Sequence, residues 1–245
     1  MTRILLLGGT TEAGAMARAL AEAGLDAVYS YAGRTAAPVA QPLPTRSGGF
    51  GGVEGLAAYL RQNRISHVID ATHPFAAGMS RNAVAACAAE GVALMALERP
   101  AWTERPGDRW RHVADYDAAA AALPNDGSAV FLAIGRQNLA PFAGLDHRWM
   151  LRFAEVAAHP LRDATLIVSR GPFTVAGDIA LMRRHDIAQV VAKNAGGRAA
   201  EAKLAAAREL GLPVVMIGRP ALPPRRLAAT PEEVLDWLHG TDRGV

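Results

Sequence analysis

The sequence predicts an α/β fold, because apolar runs of strand length alternate with alanine-rich stretches of helical length along its 245 residues. Strands that alternate with helices in this way pair in parallel sheets, since each helix carries the chain back to the start of the next strand. A stretch rich in Pro, Trp and Arg, ERPAWTERPGDRWRHV, interrupts this alternation near the middle of the chain. We therefore predict two lobes with mainly parallel sheets and a ligand cleft between them.

The elements of the first half follow from apolar runs, helix caps and breakers. ILLL is a continuous apolar run typical of a buried parallel strand, Thr10 is suited to capping the helix after it, and prolines break the extended piece in the middle. In chain order we predict strand Arg3–Leu7, helix Glu12–Ala23, strand Ala27–Ser30, an extended piece Val39–Thr45, helix Gly52–Gln62, strand His67–Ala71, helix Ala77–Glu90 and strand Ala93–Leu97.

The second half repeats the pattern, with strands rich in Val, Phe and Leu and helices rich in Ala. In chain order we predict helix Asp117–Leu123, strands Ala129–Ile134, Trp149–Phe153 and Leu166–Ser169, helix Thr174–His185, strand Gln189–Ala192, helix Arg198–Leu210, strand Val214–Ile217 and helix Glu232–His239. Ligands in such sheets bind beyond the carboxyl ends of the strands, so the loops after each strand are the candidate sites.

Composition excludes several classes of function. The only cysteine, Cys87, excludes an internal disulfide and a cysteine-built metal site, and it favours a reducing cytoplasm. The chain shows no leader peptide and no apolar run of membrane-spanning length, so we expect no membrane association. The net charge of +3 is spread along the chain and aromatics make up only 6%, which favours an anionic small ligand over nucleic acid.

The first candidate loop, GGTTEAG, follows the first strand and opens the first helix. It has neither the Lys-Ser/Thr of a nucleotide-hydrolase loop nor the spacing of the Gly-x-Gly-x-x-Gly fingerprint. What remains is a strand, a tight turn and a helix whose N-terminal N–H groups attract an anion, so we predict that Gly8, Gly9, Thr10 and Thr11 bind a phosphate. Glu12 either contacts the ligand or only favours the helix dipole.

The second loop, SYAGRT, follows the next strand. An NAD-binding lobe carries Asp or Glu here to bind the ribose 2′-hydroxyl, whereas this loop offers Ser30, Arg34 and Thr35. Arginine binds a phosphate through paired, charge-assisted hydrogen bonds, so the predicted cofactor is NADPH. The glycine-rich segment 46–52 either lets the backbone approach the adenine side of the cofactor or is a flexible turn.

The third loop, VIDATHPFA, brings Thr72 and His73 to the end of the fourth predicted strand. His73 is a candidate for cofactor contact or proton transfer, and an ordinary hydrogen-bonded loop histidine is the alternative. No Gly-x-Ser-x-Gly elbow occurs, and the seven histidines are scattered without zinc-ligand spacing, so we predict no serine nucleophile and no metal.

Three loops of the second lobe each place a cation beside glycine after an apolar strand: AIGRQNL, SRGPF and VAKNAGG. Such loops let an anionic ligand approach the backbone while its carboxylates are paired. The predicted substrate-binding residues are Arg136, Arg170, Gly171, Pro172, Lys193, Asn194, Gly196 and Gly197.

The order of GGTTEA, GGFGG, DATHPFA, ERP, GPF, KNAGG and IGRP resembles that of the precorrin-6A reductase family of cobalamin biosynthesis over nearly the whole chain. The alanine of KNAGG, where serine is expected in many members, is the chief departure. The resemblance implies two Rossmann-like lobes and NADPH-dependent reduction of an anionic tetrapyrrole. The substrate would be precorrin-6A, reduced at C18–C19 with hydride delivered to C19 to give precorrin-6B.

Within this interpretation residues 1–112 form the NADP-binding lobe and residues 113–245 contribute substrate binding. The resemblance leaves open a cobalt-containing ring as substrate and transient contact with neighbouring enzymes of the pathway. Two further alternatives are an NADPH reductase of another anionic substrate and a two-lobed protein that senses NADP without turnover, since a fold alone does not define an activity.

Overall fold

The computed structural model describes residues 2–33 and 39–242, and in them twelve strands alternate with seven α-helices. The strands are β1 Ile4–Leu7, β2 Ala27–Tyr31, β3 Thr45–Ser47, β4 His67–Asp70, β5 Ala93–Leu97, β6 Trp110–Val113, β7 Ala129–Ala133, β8 Arg148–Phe153, β9 Ala164–Val168, β10 Ile187–Lys193, β11 Val214–Ile217 and β12 Arg226–Ala228. The helices are α1 Thr11–Glu22, α2 Gly52–Gln62, α3 Ala77–Glu90, α4 Tyr116–Ala122, α5 Val175–Arg184, α6 Ala202–Glu209 and α7 Pro231–Asp242.

The chain divides into two compact units, Met1–Pro100 with Ala221–Val245 and Ala101–Pro220. The first contains a six-stranded parallel sheet in the order β3-β2-β1-β4-β5-β12. Its first five positions follow the order 3-2-1-4-5 of a Rossmann sheet, in which ligands bind where the strand order reverses. That reversal lies between β1 and β4, so the loops after these two strands are the expected binding site.

The second unit repeats this order in its own six-stranded parallel sheet, β9-β8-β7-β10-β11-β6. Here β7 and β10 flank the point of reversal. The α/β class and the two Rossmann-like sheets predicted from the sequence are thereby confirmed.

The sixth strand of each sheet departs from simple chain order. After β5 the chain enters β6, which pairs with β11 in the second sheet, and after β11 it returns as β12, which pairs with β5 in the first. Helix α7 then adds Val234 and Leu238 to the core beneath β1 and α1. Because the chain returns to the first sheet in this way, the observed boundaries follow Pro100 and Pro220, whereas the sequence predicted a single boundary after residue 112. Residues 221–245 belong with the first unit.

Strand β1 shows how the first unit builds a core on both faces of its sheet. Ile4 and Leu6 pack into the cluster formed with α1 and α7, whereas Leu5 and Leu7 pack into the cluster formed with α2 and α3. All four side chains are buried, as expected for a central parallel strand covered by helices on both sides. None of the helices in the described part of the chain has the length and apolar character that a membrane crossing requires.

Cys87, on the buried face of α3, should be inert in the folded protein. Burial, and then the charge of Asp70, raise the pKa of its thiol from 9.0 to about 12. The contribution of this thiol to the free energy of unfolding is therefore fully present below pH 9. It is lost as the pH rises from 9 toward 12, because the thiol of the unfolded chain ionises at lower pH than the buried thiol of the folded protein. We expect iodoacetamide to label Cys87 at pH 8 only after unfolding.

Urea titrations of the wild type and Cys87→Ala test the same shift. Between pH 8 and pH 10 the wild type should lose about 1 kcal/mol more of its free energy of unfolding than the variant. Equal losses, or rapid alkylation of the native protein, would contradict the raised pKa.

Candidate functional site

The loop after β1 is held closely against the neighbouring strands. Gly8 N–H donates to the Ser30 carbonyl at 3.0 Å, and Gly9 N–H donates to the Tyr29 hydroxyl at 2.8 Å. A β-carbon on Gly8 would lie 2.1 Å from Cζ of Tyr29, so only glycine fits there. Gly9 has φ +117°, a conformation that L residues rarely adopt.

Thr10 connects this loop to the loop after β4 and caps α1. Its hydroxyl donates to the Ala71 carbonyl at 2.8 Å and accepts from Ala13 N–H at 3.0 Å. The first N–H groups of an α-helix have no partner within the helix, and the helix dipole favours an anion at this end. The predicted residues Gly8 to Thr11 thus form the tight turn from β1 into the start of α1, an arrangement that is suited to a phosphate.

Glu12 in the first turn of α1 has a protein partner. Its carboxylate accepts from Arg99 Nη1 at 2.7 Å and from the Thr11 hydroxyl at 3.1 Å, and the side chains of Arg99 and Glu12 are 15% and 23% exposed. The ion pair offsets a negative charge that would otherwise repel a phosphate beside it. Arg99 was not among the predicted site residues; its signal in the sequence is the ERP motif.

The end of β2 contacts a second arginine that was not predicted. Ser30, 4% exposed, accepts from Arg46 Nη1 at 2.7 Å, and the Arg46 guanidinium lies 3.9 Å from the centroid of the Phe50 ring. Arg46 Nη2 also donates to the Gly49 carbonyl at 3.3 Å. The glycine-rich segment 46–52 therefore begins within β3, beside β2, and continues as a turn to the first residue of α2. The predicted Arg34 and Thr35 lie outside the described residues.

The loop after β4 is organised by Asp70. One oxygen of this 3% exposed carboxylate accepts from the Thr72 hydroxyl at 2.6 Å and from Thr72 N–H at 3.2 Å. His73 Nδ1 accepts from Phe75 N–H at 3.1 Å, so the neutral ring carries its proton on Nε2. Since the Thr10 hydroxyl donates to the Ala71 carbonyl, Thr72 and His73 lie at the same edge of the sheet as the GGTT loop after β1.

In the second unit a cavity of about 350 Å³ opens at the carboxyl ends of β7, β8 and β9. Two predicted residues, Arg170 and Gly171, line it. Arg152 and Lys203 also line it, although neither was predicted. The peptide bond between Gly171 and Pro172 is cis.

A buried ion pair forms one wall of this cavity. Arg152 Nη1 lies 2.5 Å from the carboxylate of Asp178, and the two side chains are 10% and 3% exposed. The guanidinium also lies 3.6 Å from the centroid of the Phe173 ring, within the range of cation–π contacts. In the sequence, the signal for this pair is the arginine that follows the apolar residues WML in the strand RWMLRF.

The KNAGG loop after β10 holds Trp102. The Asn194 side chain accepts from Trp102 N–H at 2.8 Å and donates to the Trp102 carbonyl at 3.0 Å, while the Trp102 indole N–H donates to the Gly197 carbonyl at 3.0 Å. Gly196 and Gly197 both have positive φ, +69° and +80°. Asn194 thus has structural partners on both sides of its amide, and its contact with a ligand stays a prediction.

Lys193 and Arg136 belong to neighbouring loops, because Lys193 Nζ is 3.9 Å from the point that a β-carbon on Gly135 would occupy. Arg136 lies 3.8 Å from the Glu155 carboxylate, with both side chains nearly half exposed. Within residues 2–33 and 39–242, no group of three or more His, Cys, Asp or Glu side chains is arranged to hold a metal ion.

The fold and these loops define a two-unit parallel α/β protein with a helix start suited to an anion in the first unit and cationic loops in the second. A family model described as precorrin-6x reductase CbiJ/CobK matches residues 3–239. The chain belongs to this family, which confirms the resemblance inferred from its motifs.

Individual relatives agree over the full length. A precorrin-6A reductase of Rhodobacter capsulatus is 61% identical, with 100% of both chains covered. A cobalt-precorrin-6A reductase of Priestia megaterium is 29% identical over 96% of this chain and 97% of its own. A solved structure of CobK precorrin-6A reductase has a TM-score of 0.92 and 60% identity, covering 100% of this chain and 98% of that one.

Proposed function

We propose that this protein uses NADPH to reduce the C18–C19 double bond of precorrin-6A, with hydride delivered to C19, and thereby forms precorrin-6B in cobalamin biosynthesis. The observation that carries this proposal is the full-length similarity to the Rhodobacter capsulatus precorrin-6A reductase. The metal-free ring is preferred because the relative named for it is 61% identical, whereas the cobalt-named relative is 29% identical.

The first unit offers residues that fit a dinucleotide phosphate. Gly8 lets the backbone pack closely against Tyr29, Gly9 supplies the positive φ of the turn, Thr10 fixes the loop, and Arg99 pairs with the charge of Glu12. Ser30, Arg34 and Thr35, together with Arg46 beside Ser30, would hold the adenosine end and its 2′-phosphate.

NADPH, when bound, would supply the hydride. The chain itself would orient cofactor and ring against each other, exclude water and stabilise developing charge, so few catalytic side chains are needed. The second unit would bind the carboxylates of the substrate through Arg136, Arg170 and Lys193, and it would approach the ring with the backbone of Gly171, Pro172, Gly196 and Gly197. Asn194 would stabilise the conformation of the KNAGG loop through its two hydrogen bonds with the Trp102 backbone.

Arg34→Ala is expected to raise the Kd for NADPH by about 10-fold to 100-fold, which corresponds to loss of one hydrogen-bonded charge pair, and to change the Kd for NADH by less than about twofold. Arg18→Ala, which removes an exposed arginine of α1, is the matched control and should leave both values unchanged. Calorimetric titration with each cofactor measures the effect. Equal weakening of NADPH and NADH would contradict the 2′-phosphate assignment.

His73→Ala tests whether this ring orients the nicotinamide or supplies a proton. If His73 transfers the proton, single-turnover reduction should slow by about 100-fold or more, with the NADPH Kd nearly unchanged. If it only orients the cofactor, the Kd should rise together with the loss of rate. A variant as fast as the wild type at every pH would remove both roles.

Anaerobic incubation with precorrin-6A and NADPH tests the proposed function directly. We expect one NADPH to be oxidised for each ring that gains two hydrogen atoms, as followed by absorbance and product mass. Faster reduction of cobalt-precorrin-6A would favour the cobalt-named activity instead. Tight NADPH binding without turnover of either ring would favour another anionic substrate or an NADP sensor.

The proposed location is the cytoplasm, and the buried free thiol of Cys87 is compatible with a reducing compartment. Transient contact with neighbouring enzymes of the pathway would limit exposure of the reactive ring between steps.

A further inference from the structure

The cavity of the second unit has a composition that suits one particular part of an anionic ring. Among the described residues that line it are three cations, Arg152, Arg170 and Lys203, three phenylalanines, Phe131, Phe153 and Phe173, and no Asp or Glu. Its volume of about 350 Å³ is at the lower end of the roughly 300–1,000 Å³ of small-molecule sites. It therefore accommodates an edge of a large macrocycle and not the whole ring.

The cations of this wall have different roles. Asp178 does not line the cavity, but its carboxylate lies 2.5 Å from Arg152 Nη1 and neutralises the charge of that guanidinium. Arg152 in turn fixes the Phe173 ring by its contact at 3.6 Å, so this ring is a positioned apolar surface. Arg170 is exposed, and its Nε donates to the Ala154 carbonyl at 3.3 Å, which orients the guanidinium at the mouth of the cavity.

We propose that this cavity is the subsite for one carboxylate-bearing edge of the tetrapyrrole. Arg170 pairs with a side-chain carboxylate of the substrate, and the ring edge contacts the phenylalanine surface held by Arg152 and Asp178. A guanidinium suits this role because it binds a carboxylate through two parallel hydrogen bonds. The inference rests on the proposed function for the identity of the ring, but the charge recognition that it describes is measurable without turnover.

Arg170→Gln tests the subsite, because it removes one charge from an exposed side chain and should leave the fold intact. Arg162→Gln is the matched control: it removes the same charge from an exposed residue at the other end of β9. The probes are precorrin-6A and precorrin-6A with its side-chain carboxylates methyl-esterified. The readout is quenching of tryptophan fluorescence under anaerobic conditions without NADPH.

We expect Arg170→Gln to raise the Kd for precorrin-6A by about tenfold, the lower end for a hydrogen bond to a charged group, and to change the Kd for the ester by less than about twofold. Arg162→Gln should change neither. Equal Kd values for wild type and Arg170→Gln, or equal weakening of acid and ester, would overturn the inference while leaving reductase activity intact. A charge-dependent loss of binding in a protein that never reduces the ring would support the subsite and contradict the function. No binding of precorrin-6A by the wild type would overturn both.

Discussion

Gly8→Ala is expected to raise the Kd for NADPH by about 100-fold or more, which corresponds to loss of at least two hydrogen bonds to a charged phosphate. The added β-carbon would lie 2.1 Å from Cζ of Tyr29, a side chain that is 1% exposed and has no room to retreat. The loop must therefore move away from β2, and the N–H groups at the start of α1 lose their alignment with the phosphate. Overpacking of this kind also costs about 1–3 kcal/mol of stability.

Gly14→Ala is the matched control within the same motif. A β-carbon on Gly14 would have no neighbour closer than 3.9 Å, and the residue lies inside α1, so alanine should raise stability by about 0.5–1 kcal/mol and leave NADPH binding unchanged. Calorimetric titration of both variants measures the contrast. An unchanged NADPH Kd in a folded Gly8→Ala protein would contradict the assignment of this loop to the cofactor.

Asp178→Ala is expected to lower the free energy of unfolding by about 3–5 kcal/mol, because it leaves the charge of Arg152 buried without its partner. The two side chains are 10% and 3% exposed, so water replaces the lost carboxylate poorly. The Phe173 ring, which packs on the same guanidinium, should loosen as well. Urea denaturation followed by circular dichroism measures the loss.

Two comparisons isolate the buried pair. Asp117→Ala removes an exposed aspartate from the first turn of α4 and should cost only about 0.3–1 kcal/mol. Replacing both partners, Arg152→Met with Asp178→Leu, should recover much of the stability lost in Asp178→Ala, since no unpaired charge remains. A loss below about 1 kcal/mol in Asp178→Ala would mean that the pair is hydrated and contributes little.

The fold was predictable wherever one sequence pattern determined it. The apolar run of β1, buried on both faces, and the alanine-rich helices α1 and α3 were identified to within one or two residues. The strands β6 and β12 were missed because they lie at sheet edges: WRHV and RLA are short and mostly unburied, so neither alternation nor a continuous apolar run marks them. Their pairing partners are set by tertiary contacts that a local pattern does not contain.

The candidate site was predictable as a set of loops but not as a set of contacts. The position of each loop directly after a predicted strand indicated GGTT, DATH and the cationic loops of the second unit. Arg99, Arg46 and Arg152 were missed because each acts through a partner that is distant in sequence, 87 residues for Glu12 and 26 for Asp178. Asn194 shows the converse, since its position in a loop suggested ligand contact whereas both ends of its amide bind Trp102.

The central claim is hydride transfer from NADPH to C19 of precorrin-6A, and isotopic labelling measures it most directly. The protein would be incubated anaerobically with precorrin-6A and each of the two C4-deuterated forms of NADPH in turn, and the product examined by mass and NMR. The account predicts one deuterium at C19 from one of the two forms, none from the other, and a solvent-derived hydrogen at C18. Deuterium at another carbon, or product without deuterium from either form, would contradict it.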